Sequence, residues 1–180
     1  MPRCTFKVFS FLGASSFALA SLIYWVMQGN GSGGNVFGAL PRMFCYHYDH
    51  PCQYIAVVCF TYATIGTWGA VRWPHVAGWR RGVLITGILI FTILVASIPG
   101  GVLWKIHDME AGFFTRGVQF WNDLFWGAAT GLETGWFLTL LSFPYNMICL
   151  VMGYRLTSQG FRISAATADA KPASNHFPPN

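Results

Sequence analysis

Residues 45–52 read CYHYDHPC, two cysteines bracketing two histidines and an aspartate. His47, Asp49 and His50 supply nitrogen and oxygen donors of the kind that hold zinc or copper. Their spacing matches no fixed metal motif, and His47 and His50 are not four apart as a helical ligand pair would be. Further ligands would come from His107, Asp108 or Glu110. His107 and Glu110 have the H-x-x-E spacing that puts two side chains on one helix face. One such copy arises readily by chance, and a solvated loop accounts for it better than a ligand pair does. Cys45 and Cys52 are expected to form a disulfide pinning the loop in an oxidising compartment. No motif demands a cofactor, and a zinc or copper ion in the outer loops is the alternative these residues leave open.

The second chemical feature is an acid inside an apolar run. Residues 120–154 read FWNDLFWGAATGLETGWFLTLLSFPYNMICLVMGY. Glu133 is a buried or interfacial acid, depending on where this run meets the bilayer. A transport path usually needs such groups at mid-membrane, and Glu133 alone is thin support for one. Gly127, Gly131 and Gly135 recur four apart and therefore share one face. Such a ridge lets a neighbouring helix approach closely, which is how membrane helices associate when lipid supplies no hydrophobic drive. Gly66 and Ala70 make a shorter pair of the same kind. Pro144 is expected to bend the run, because it leaves the carbonyl four residues earlier unpaired. Asn146 is a polar group able to bond between helices.

The elements that carry these residues follow from composition. Hydrophobic residues are 54% of the 180 and charged residues only 9%, against roughly 25% charged in soluble proteins. So few charges cannot coat a soluble surface, and lipid replaces water as solvent. The expected fold is all-α, an integral membrane protein of four transmembrane helices at about 8–27, 53–71, 83–104 and 123–154, making one domain over 1–154. Residues 18–20 read ALA, as a signal-peptide cleavage site would. The apolar run continues past them to about 20 residues, enough to span. Pro99-Gly100-Gly101 is expected to kink or fray the end of the third helix. The last span, at about 48 Å, exceeds a hydrocarbon core of about 30 Å. It must tilt, bend, or project its outer end. Residues 155–180 are polar and proline-tipped, expected to be disordered or laid on a partner.

Lys and Arg set the orientation. Arg3, Lys7, Arg72, Arg80, Arg81, Arg155, Arg162 and Lys171 fall on one side of a four-span chain. Only Arg42, Lys105 and Arg116 fall on the other, together with Asp49, Asp108, Glu110, Asp123 and Glu133. Both termini are therefore expected on the cytoplasmic-type side. The net charge of +5 is topological, and no basic run or base-reading motif points to nucleic acid. The tryptophans agree, since each falls near one of the two expected interfaces, where an apolar ring with one N–H is favoured.

Four-helix membrane thiol oxidoreductases resemble this chain in helix count and size. They use a C-x-x-C pair, which this sequence lacks, so the chain departs from that family at its essential motif. Claudin-like tetraspan proteins also place two cysteines in the first outer loop, but the tryptophan motif expected before them is missing. None of the histidines falls inside an expected span, which argues against histidine-ligated haem or chlorophyll in the bilayer core. The leading expectation is a non-catalytic accessory or assembly subunit. It would pack against other membrane subunits and lipids in a hetero- or homo-oligomeric complex. A metal-binding or redox protein using the outer loops is the first alternative, and a small transporter or channel subunit using Glu133 the second.

Overall fold

The computed structural model describes residues 2–29, 51–112, 119–141 and 145–170. These residues form five helices and no strands: α1 (Pro2–Gly29), α2 (Pro51–Arg72), α3 (Gly78–Glu110), α4 (Phe120–Leu141) and α5 (Tyr145–Asp169). Among them, α1, α2 and α3 are long and apolar enough to cross a membrane. The described residues are thus all-α with three candidate membrane spans.

In the bundle, α2 is flanked by α1 and α3, and α5 packs against all three. Cys4 lies 3.9 Å from Ser164, and the Tyr145 hydroxyl donates to the carbonyl of Ala20 at 3.1 Å. Those two contacts make α5 antiparallel to α1 over most of its length. The core is knit by side chains seated on glycines. Leu12, fully buried, fits between α2 and α5, where a β-carbon on Gly66 or Gly160 would meet it at 3.0 or 3.2 Å. Around it lie Val8, Tyr62, Ala63, Ile85 and Phe161.

The connection between α2 and α3 is tight. Gly78 takes φ +60°, a left-handed conformation that favours glycine. The Arg81 Nε–H then donates to the carbonyl of Val76 at 2.8 Å, and its guanidinium lies 5.8 Å above the Phe161 ring. At the far end Gly112 takes φ +83° just past α3, a glycine C-cap of the usual kind.

Three sequence expectations need correction. Pro99 lies inside α3, which continues to Glu110 over 33 residues, so the end expected to fray is helical. The span expected over 123–154 has other bounds: its described parts belong to α4, which starts at Phe120, and α5, which runs on to Asp169, with residues 142–144, including Pro144, outside the described part. The tail expected from residue 155 is helical as far as Asp169, because Leu156, Phe161 and Ser164 are buried against the bundle. Its polarity is one-sided: Arg155, Gln159 and Arg162 point outward from the same helix.

Candidate functional site

The residues that the sequence singled out are scattered. His47, Asp49, His50 and Cys45 lie outside the described residues, as do the rest of 30–50. The Cys45–Cys52 bond has no support: Cys52 is an exposed free thiol, and Cys4, Cys59 and Cys149 are also free. His107 is half-buried and Glu110 exposed near the end of α3. Among the described residues no three His, Cys, Asp or Glu side chains gather as a metal site. Beside them Lys105 Nζ lies 3.8 Å from Asp108 and 4.9 Å above the Trp104 ring. Glu133 is exposed on α4 rather than enclosed.

The glycine ridge is where two helices meet. Gly127 and Gly131 of α4 face Gly101 and Ser97 of α3. A β-carbon on Gly101 would collide with the carbonyl oxygen of Gly127, and one on Gly131 with that of Ser97. The partner surface on α3 is Ser97-x-x-x-Gly101, the small-x-x-x-small pattern that mates with such a ridge. The pair stands in the sequence on either side of Pro99. Gly135 lies in the same helix, and its surroundings are outside the described part. Helix α4 rests mainly on α3 and barely touches α5. It leaves Trp121, Phe125, Trp126, Leu132 and Phe137 exposed.

A different site lies where α5 meets the α1–α2–α3 layer. A partly open cavity of about 120 Å³ is walled by all four helices. Its wall is almost entirely carbon, from Leu19, Ile23, Val58, Leu89, Ile93 and Leu150 among others. Hydroxyls in and beside it are bonded within the bundle. The Tyr62 hydroxyl lies 2.7 Å from Thr157 Oγ1, and both reach the carbonyl of Gly153, at 3.0 and 2.8 Å. Tyr145 donates to Ala20, Thr92 to Ile88 at 2.8 Å and Ser16 to Gly13 at 3.1 Å. Tyr24 and Tyr145 meet edge to face with centroids 6.5 Å apart.

The chain matches no protein-family model, no curated protein and no solved structure. Function therefore rests on the geometry.

Sequence reasoning passed over this cavity. Its signal was one end of a small and polar stripe at helical spacing: Tyr145, Cys149 and Gly153 line the cavity, and Thr157, Gly160 and Ser164 continue the stripe beyond it. The stripe runs straight through residue 154, where the apolar run stops and the helix does not. Periodicity, rather than mean hydropathy, marked α5 as a bundle helix.

Proposed function

We propose that the chain is a non-catalytic accessory or assembly subunit of a membrane protein complex, multi-pass, with both termini on the cytoplasmic-type side. On this reading the fourth crossing is made by α4 and α5 together. The observation that carries the reading is the state of α4. One face is locked to α3 through Gly127 and Gly131, while the opposite faces present a row of large aromatic and aliphatic side chains to the surroundings. A helix held by a backbone contact and apolar outward is built to offer its outer face to another membrane helix or to lipid. Trp121, Trp126 and Trp104 cluster near one end of the α3–α4 pair, where Lys105 and Asp108 also sit. That mixture of indole and charge suits an interfacial contact.

The test is purification from native membranes in mild detergent, followed by native mass spectrometry. A reproducible, stoichiometric protein partner is expected, lost when Phe125 and Trp126 are both replaced by Ala. A chain that always emerges alone and monomeric, with its stability unchanged, would overturn the reading.

A further inference from the structure

We infer that the cavity between α5 and the α1–α2–α3 layer holds the hydrocarbon tail of a bilayer lipid. The inference needs only that α1, α2 and α3 lie in a bilayer, and it stands apart from the subunit reading above.

Three observations select the occupant. The first is the wall: carbon atoms from four helices surround about 120 Å³. An apolar cavity of about 150 Å³ in a soluble protein stays dry and takes up benzene. The space is thus right for a stretch of hydrocarbon. The second is the state of the hydroxyls. Tyr62, Thr157, Tyr145, Thr92 and Ser16 each bond to a carbonyl or hydroxyl of the bundle itself. A water in the cavity would want two to four polar partners, and these groups are already committed. The same holds for a quinone or other ring with polar substituents, whose carbonyls would find no uncommitted donor among those hydroxyls. A polar ligand is disfavoured and a plain alkyl chain is not. The third is access. The cavity is partly open, and three of its four walls belong to helices long and apolar enough to cross a bilayer. Acyl chains are the solvent at that depth, and a void left empty forfeits dispersion contacts on its lining.

The tail is therefore bound by shape, with its headgroup outside the cavity. Val58 and Ile93 would flank the chain from α2 and α3, Ala20 from α1 and Leu150 from α5. The experiment places the full-length protein in nanodiscs containing a phosphatidylcholine with a diazirine near the end of one tail. After irradiation, adducts are mapped by mass spectrometry. Expected are adducts at Val58, Ile93 and Leu150, beyond those on outward-facing Phe60 and Phe91. Filling the space with Ala20→Leu or, separately, Val58→Phe is expected to remove most of the cavity adducts and leave the outward ones. Two different helices carry these substitutions, so misfolding of one variant leaves the other to decide. Replacing the phosphatidylcholine by a phosphatidylglycerol with the same tail should leave the pattern unchanged. Labelling confined to outward residues, labelling indifferent to both fillers, or labelling that follows the headgroup would each overturn the inference.

Discussion

Gly101 of α3 and Gly127 of α4 touch backbone to backbone. A β-carbon on Gly127 would lie 2.8 Å from the carbonyl oxygen of Gly101 and 2.5 Å from Cγ of Lys105, and one on Gly101 would overlap the oxygen of Gly127. No rotamer change relieves a clash with a main-chain oxygen, so the two helices can adopt this spacing only while both positions stay without side chains.

Gly101→Ala is expected to destabilise the protein in detergent by about 1–3 kcal/mol, the range for forcing atoms into a packed contact. Gly131→Ala should behave alike, because its β-carbon would meet the Ser97 carbonyl. Gly87→Ala is the control, since nothing lies within 4 Å of its added carbon, and helix propensity should make it neutral or slightly stabilising. Thermal unfolding of the three variants in one detergent checks the order. Equal melting temperatures would show that the α3–α4 contact does not hold α4.

Leu12 is the side chain on which α1, α2 and α5 converge, fully buried with Gly66 and Gly160 on either side. Leu12→Ala should cost about 2 kcal/mol, near the low end for such truncations. The reason for the low end is that lipid is as apolar as the core, which leaves the lost packing and little of the transfer free energy. Chemical denaturation of the variant gives the number, and a change within error of zero would mean that α5 is not seated there.

Thr67 is 4% exposed, and its hydroxyl has no hydrogen-bond partner. The helical threonines 61, 64, 92, 134, 157 and 167 each donate to the carbonyl four residues earlier. Thr67→Val replaces an unsatisfied hydroxyl by a methyl of the same size. Stability should rise by about 1 kcal/mol, the cost of one neutral polar group left unmade. A fall in melting temperature would show that the hydroxyl is satisfied after all.

Topology can be read from thiols. Cys52 is exposed at the start of α2, while Asp169 is exposed at the end of α5, 4.0 Å from His75 in the opposite turn. In sealed vesicles a membrane-impermeant maleimide should reach Cys52 from the outer face. In an Asp169→Cys variant the new thiol should react only from the cytoplasmic-type face. Labelling of both from one face would rule out four crossings with both termini on the cytoplasmic-type side. Reaction of Cys52 only after reduction would restore the disulfide with Cys45.

The sequence by itself determined the class of molecule and the position of α1, α2 and α3. Apolar runs of spanning length with almost no charge leave few other arrangements, because a lone helix in lipid must satisfy its own backbone. Glycines four apart share one side of a helix, and Gly127 and Gly131 of α4 lie against Gly101 and Ser97 of α3. Tertiary structure decided the rest. Mean hydropathy placed the final helix over 123–154. The bundle instead seats α5 over Tyr145–Asp169, because burial of Phe161, Thr157 and Ser164 between α1 and the α2–α3 pair outweighs the polarity of Arg155 and Arg162 on the outer face. A local average cannot see that compensation, which exists only once the neighbouring helices are in place. The cavity is of the same kind. Ser16, Val58, Thr92 and Tyr145 come from four helices and as many separate stretches of sequence. Only the packing of α5 on the other three makes them one wall.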